Sequence, residues 1–127
     1  MEQLVFVYGT LKRGFGNSRL LGGSAFLGVG HTSPSFAMYR VCPYFPGVCQ
    51  DEQNLGPVYG EVYRVNDQTM RALDRLEGCC ASGGGMYHRV VTDITVGKAH
   101  CDCWIYLWGH GPDHDLLIPS GKWKESE

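Results

Sequence analysis

Glycine and proline divide the stretch from Ala25 to Cys49 into short apolar segments. The breaks fall at six positions: Gly28, Gly30, Pro34, Pro43, Pro46 and Gly47. Both residue types are poorly tolerated inside regular elements and mark the ends or bends of strands. We therefore expect three brief strands in this stretch and no helix.

Four further strands are predicted on either side of it. A short apolar run rich in Val and aromatic residues predicts a buried strand over Leu4–Tyr8, and the β-formers of Val58–Val65 predict another. Gly60, inside the second run, indicates a bend or a close approach of backbone. The long runs Met86–Val96 and Ala99–Trp108 predict an antiparallel hairpin.

One helix is predicted, over Asp67–Glu77. Asn66 provides a capping side chain, Gly78 provides the usual stop, and the apolar side chains of Met70, Leu73 and Leu76 recur along one face. Some seven strands with one main helix indicate an α+β fold whose sheet curves strongly or closes into a barrel. With 127 residues, of which 43% are hydrophobic, the chain predicts one domain over residues 1–127.

Charge and composition exclude several kinds of partner. The formal net charge is −2 and the isoelectric point is near 6.2, so we expect no binding to nucleic acid or to membrane surfaces. The chain lacks the basic start and long apolar stretch of a signal peptide, which predicts a cytoplasmic location. The six cysteines are then expected to be reduced thiols, although Cys42 and Cys49 could pair in an oxidising compartment.

A zinc site is the first hypothesis for the segment around His100, Cys101 and Cys103, with His110 and His114 close by in sequence. On a strand, however, Cys101 and Cys103 share one face and supply only two local ligands. We therefore expect no metal site.

The loop after the first strand begins at Gly9 and runs to Gly14. This glycine spacing matches a phosphate-binding Walker loop, but the positions required to be Lys and Ser or Thr are Phe15 and Gly16. Two interpretations remain open from the residues alone. The segment is an ordinary tight turn, or it is a loop whose backbone amides face an anion or a polarised carbonyl.

The ordered set of motifs along the chain resembles the γ-glutamylcyclotransferase-like family. The strings that carry this resemblance are VFVYGTLKRG from Val5, FPGV from Phe45, GEVYRV from Gly60, LDRLEG from Leu73, GMYHR from Gly85 and LIPSGKW from Leu117. The resemblance implies a barrel-like mixed sheet and a cofactor-independent enzyme that acts on a small γ-glutamyl compound. It also implies a γ-glutamyl binding site at Tyr8, Gly9, Thr10 and Leu11.

By the same resemblance Glu77 is the catalytic acid/base and Tyr87 a substrate-contacting residue. A carboxylate in the last helical turn faces the negative end of the helix dipole, which favours a raised pKa. Glu61 is the rival carboxylate, ranked behind Glu77 because the resemblance gives it no role. The glycine-rich stretch Cys79–Gly85 could form a flap over the site.

The implied reaction is intramolecular attack of the substrate α-amine on the γ-amide carbonyl, with release of 5-oxoproline. The resemblance is greatest to the γ-glutamylamine cyclotransferase branch, while the residues leave the leaving group and the oligomeric state open. A non-catalytic binding or regulatory protein with the same fold is the alternative.

Overall fold

The computed structural model describes residues 2–9, 21–42, 45–78, 86–111 and 113–123. Thr10, Leu11 and the possible flap Cys79–Gly85 lie outside these residues. The described elements, in chain order, are β1 (Glu2–Val7), β2 (Ala25–His31), β3 (Phe36–Cys42), β4 (Phe45–Gln50), β5 (Tyr59–Asn66), α1 (Asp67–Leu76), β6 (Tyr87–Val96), β7 (Ala99–Trp108) and a 3-10 turn (His114–Leu116).

Five of these strands form a closed barrel in the order β1-β5-β2-β6-β7, and β3 and β4 form a separate two-stranded sheet. Neighbouring barrel strands are antiparallel except at the closure, where β1 lies parallel to β7 with Val5 opposite Trp104 and Phe6 opposite Ile105. The sequence prediction of an α+β barrel with one main helix is confirmed. The predicted strands are present, but they divide between two sheets.

The last three residues of β1 are buried on both faces, in keeping with the uninterrupted apolar run to which they belong. Phe6 and Tyr8 belong to the core cluster inside the barrel, whereas Val5 and Val7 belong to the cluster beneath α1. A strand covered on both faces reads as a continuous apolar run without alternation. The barrel and the helix layer thus meet along β1, and its end points into the region between them.

Gly60 allows the close contact between β5 and β1 that its position in the sequence predicted. A Cβ atom at Gly60 would collide with the carbonyl oxygen of Val7 and with the ring of Phe6. Only glycine can occupy such a position without displacing the neighbouring backbone. This contact fixes the last residues of β1 against β5.

Helix α1 begins at the predicted residue and ends one residue earlier than predicted. The Asn66 side chain accepts a hydrogen bond from the Thr69 amide at 2.8 Å, and Gly78 follows the helix with φ +65°. Glu77 is the C-terminal cap residue and not part of the helix proper. The predicted apolar face is only partly buried, because Met70 and Leu73 are covered while Leu76 is 42% exposed.

The tail of the described chain packs into the molecule. Trp123 is 3% exposed and belongs to the barrel core. The Gly121 carbonyl also accepts a hydrogen bond from the Tyr59 amide at 2.8 Å. In the described part of the chain, no helix combines the length and the apolarity needed to cross a membrane.

Candidate active site

A cavity of about 30 Å³ lies where the barrel, the β3–β4 sheet and the end of α1 meet. Its walls come from β1, β4, β6, β7 and the residue that caps the helix. The lining residues are Phe6, Val7, Tyr8, Gly9, Phe45, Pro46, Glu77, Tyr87 and Tyr106. This volume has room for about two water molecules, so a larger ligand would place only one end of itself inside.

Gly9, at the end of β1, lies against Pro46 at the start of β4. A Cβ atom on Gly9 would stand 3.1 Å from the Pro46 Cδ atom, closer than ordinary side-chain packing allows. The glycine therefore lets the β1 loop approach β4 and narrows the cavity from that side.

Tyr8 fastens the end of β1 to β7. Its hydroxyl donates a 2.5 Å hydrogen bond to the Tyr106 carbonyl oxygen, and the residue is 6% exposed. Burial raises the pKa of this hydroxyl well above its ordinary value. Tyr8 is therefore a neutral structural donor whose ring forms part of the cavity wall.

Tyr87 fastens β4 to β6 in the same manner. Its hydroxyl donates to the Pro46 carbonyl oxygen at 2.6 Å, while its ring packs edge-on against Trp108 with centroids 5.2 Å apart. The hydroxyl proton is thus used within the protein.

Glu77 is the one acidic residue among the described residues that line the cavity. Burial raises the pKa of its carboxyl from the ordinary 4.5 to about 7. Within the described ranges, no group donates a hydrogen bond to this carboxyl. The upward direction agrees with the sequence prediction, but burial, which the sequence did not reveal, is its cause. A carboxyl with this pKa can accept and return a proton near neutral pH.

Tyr106 contributes to the cavity without having been singled out in the sequence. Its ring lies in the wall, and its hydroxyl donates to Asp74 Oδ1 of α1 at 2.7 Å. Arg89 donates to the same oxygen through Nε at 2.8 Å. In the sequence Tyr106 was one of several aromatic residues on β7, and nothing distinguished it. The sequence pointed to Phe45 and Pro46 only through the FPGV motif, and no role in the site was assigned to that motif.

The structure brings together four of the six residues that the sequence singled out for the site. Tyr8, Gly9, Glu77 and Tyr87 line one cavity, while Thr10 and Leu11 lie outside the described residues. The roles given to them stay predictions. The rival Glu61 is not among the lining residues, and it accepts a hydrogen bond from the Tyr63 hydroxyl at 3.0 Å.

Within the described ranges, no group of three or more His, Cys, Asp or Glu residues is arranged to hold a metal ion. Cys101 and Cys103 do share one face of β7, with their sulfur atoms 3.6 Å apart, as the strand pattern predicted. Cys49, Cys101 and Cys103 are free thiols.

Fold and cavity together define a class of protein: a small α+β barrel whose helix ends in a titratable carboxyl that faces the end of the first strand. The profile of the family described as "Gamma-glutamyl cyclotransferase, AIG2-like" matches residues 5–125. The chain belongs to this family, and the resemblance found in its motifs is confirmed.

Individual relatives agree with this assignment. A Vibrio cholerae protein, which its name assigns provisionally to the gamma-glutamylcyclotransferases, is 37% identical over 123 residues, covering 97% of this chain and 96% of its own length. The Bos taurus protein named gamma-glutamylaminecyclotransferase is 32% identical over 133 residues, which is 93% of this chain and 77% of the bovine one. The crystal structure of an AIG2-like protein from Mus musculus superposes with a TM-score of 0.83 at 27% identity, covering 99% of this chain and 90% of the mouse chain.

Proposed function

We propose that this protein is a γ-glutamyl cyclotransferase in which Glu77 acts as the general acid/base and 5-oxoproline is the product. The observation that carries the proposal is the buried Glu77 carboxyl, with its pKa raised to about 7, in a cavity shared with the end of β1. Membership of the family supports the same class of reaction. No cofactor takes part in it.

In the proposed reaction the ionised Glu77 carboxylate first removes a proton from the α-ammonium group of the substrate. The freed amine attacks the γ-carbonyl carbon, and a five-membered ring forms with a tetrahedral centre. As that centre collapses, the bond from carbon to the leaving nitrogen breaks, Glu77 returns its proton to the departing amine, and the ring nitrogen loses its second proton to water. A pKa near 7 suits this double role, because both protonation states are populated at neutral pH.

The protein also has to hold the two reacting ends of the substrate close together. The loop that starts at Gly9 is proposed to bind the γ-glutamyl group, with Tyr8 and Tyr87 fixing the walls on either side of it. Holding amine and carbonyl in position removes much of the entropic barrier to ring closure. Backbone amides of the loop would stabilise the negative charge that develops on the carbonyl oxygen.

The substrate is proposed to be a γ-glutamylamine, for which the name of the bovine relative is the support. The small cavity is consistent with a site that encloses one end of the substrate and leaves the departing amine outside.

The test is to incubate the protein with γ-glutamyl-ε-lysine and a panel of γ-glutamyl dipeptides, and to measure 5-oxoproline by chromatography. We expect Glu77→Gln, which keeps the shape of the side chain but not its basicity, to lower kcat by about 10²–10⁴. Glu61→Gln is the matched control at the rival carboxylate, and it should turn over normally. Saturable binding without product would show that the protein is a binding protein and not an enzyme. Normal turnover by Glu77→Gln would show that Glu77 is not the acid/base.

A further inference from the structure

Asp74 lies in the last turn of α1, three residues before the cap residue Glu77, a spacing that places two side chains on the same side of a helical turn. Three hydrogen bonds from two barrel strands converge on the Asp74 carboxylate: one from Tyr106 at 2.7 Å and two from Arg89 at 2.8 and 3.1 Å. Arg89 and Tyr106 are directly opposite each other in the pairing of β6 with β7. One cross-strand pair thus holds one helical carboxylate.

This anchor falls where apolar anchoring of the helix ends. The last buried apolar side chain of α1 is Leu73, and Leu76 in the final turn is 42% exposed. Hydrophobic packing therefore fixes the middle of the helix, whereas its last turn has little apolar contact with the rest of the protein. Asp74, with its side chain 21% exposed, supplies the polar attachment at this end.

Further side-chain contacts run from Arg89 over β7 and β1 to the other end of the helix. The Arg89 guanidinium lies 4.3 Å from the centre of the Trp104 ring, and Trp104 Nε1 donates to Gln3 Oε1 at 2.8 Å. Gln3 Nε2 in turn donates to Asp67 Oδ1 at 2.9 Å, in the first turn of α1. Connected side-chain contacts thus hold both ends of the helix against β1, β6 and β7.

Tyr106 joins this network to the cavity. Its hydroxyl binds Asp74, its ring lines the same cavity as Glu77, and its carbonyl accepts the hydrogen bond from Tyr8. A displacement of the last helical turn would therefore move Glu77 relative to a wall that Tyr8 and Tyr106 hold in place. Errors of about 1 Å in such positions cost on the order of 10²-fold in rate.

We propose that Asp74, held by Tyr106 and Arg89, is a positioning residue that sets the Glu77 carboxyl at its place in the cavity. The proposal rests on the proposed function, in which Glu77 is the acid/base. Asp74 itself takes no part in the bond changes of the reaction.

Kinetics test this positioning role with Asp74→Asn, which keeps the size of the side chain but loses its charge. We expect kcat to fall about 10- to 100-fold while KM changes by less than about threefold. The matched control is Asp93→Asn, because Asp93 forms an exposed pair with His100 at 2.9 Å and does not line the cavity. The kcat of this variant should equal that of the wild type. An unchanged kcat in Asp74→Asn would overturn the proposal.

A double variant separates positioning of Glu77 from a general structural role. If Asp74 acts through Glu77, adding Asp74→Asn to Glu77→Gln should lower the residual rate by less than about twofold. Losses that multiply in the double variant would show that Asp74 acts elsewhere.

A third measurement does not depend on turnover. In protein labelled with ¹³C at glutamate carboxyls, the Glu77 signal, assigned by its loss in Glu77→Gln, should titrate near pH 7. Tyr106→Phe removes one hydrogen bond from Asp74 and no charge. Because the Glu77 carboxyl should then leave its buried position, we expect this midpoint to fall by at least about 0.5 pH unit. An unchanged midpoint in Tyr106→Phe would refute the positioning role of Asp74, whether or not the wild type is active. Absence of 5-oxoproline release by the wild type would refute only the proposed function.

Discussion

Burial of Glu77 makes a prediction about stability that needs no substrate. The folded protein holds this carboxyl at a pKa of about 7, whereas the unfolded chain holds it at the ordinary 4.5. Between these pH values the folded state binds more protons than the unfolded state, so the free energy of unfolding falls as pH rises. Glu77→Gln removes the titrating group and should remove this pH dependence.

The size of the effect follows from the two pKa values. Each pKa unit corresponds to about 1.4 kcal/mol, so ionising Glu77 in its buried position costs about 3 kcal/mol. The cost is absent below about pH 4, where both states are protonated, grows between 4.5 and 7, and is complete above about pH 8. The variant should therefore match the wild type at pH 4 and exceed its stability by about 3 kcal/mol at pH 8.5.

Urea unfolding followed by tryptophan fluorescence at pH 4, 5.5, 7 and 8.5 measures this difference directly. The control is Glu52→Gln, the same substitution at an exposed glutamate after β4, which should give a difference within about 0.5 kcal/mol at every pH. A stability gain of Glu77→Gln that stayed constant from pH 4 to 8.5 would refute the reasoning. Burial would then not be acting on the charge of this carboxyl.

Two further predictions concern the walls of the cavity and the start of the helix. Tyr87→Phe removes the donor to the Pro46 carbonyl oxygen and should lower the free energy of unfolding in urea by about 1–2 kcal/mol; no loss would mean that another donor serves this carbonyl. Asn66→Ala removes the cap on the Thr69 amide and should cost about 1 kcal/mol in the same assay. Gln68→Ala, at an exposed position of the first turn, is the control, and an equal loss there would argue against a capping role.

The elements of this fold were predictable because each is signalled by nearby residues. Asn66 and Gly78 mark the two ends of α1, and the turn at Gly97 sets the ten-residue register of β6 against β7. The short strands between Ala25 and Cys49 follow from glycine and proline spacing. In each case the determining interactions are local.

The assembly of those elements was less predictable, because it depends on contacts between distant residues. Tyr106 reaches the cavity only because β7 closes against β1, and a single strand gives no sign of which neighbour it will have. The sequence likewise could not show that Leu76 is exposed while Trp123 is buried in the core. For the site, motif resemblance singled out Glu77 and Tyr87, which line the same cavity, but the burial that raises the Glu77 pKa needed the fold.

The parallel contact between β1 and β7 has a consequence for biosynthesis. Val5 and Phe6 pair with Trp104 and Ile105, roughly a hundred positions later. During translation the first strand must wait until nearly the whole chain has left the ribosome before this closure can form. A nascent or prematurely terminated chain that ends before β7 would contain α1 and Glu77, but it would lack the wall of the cavity that Tyr106 provides.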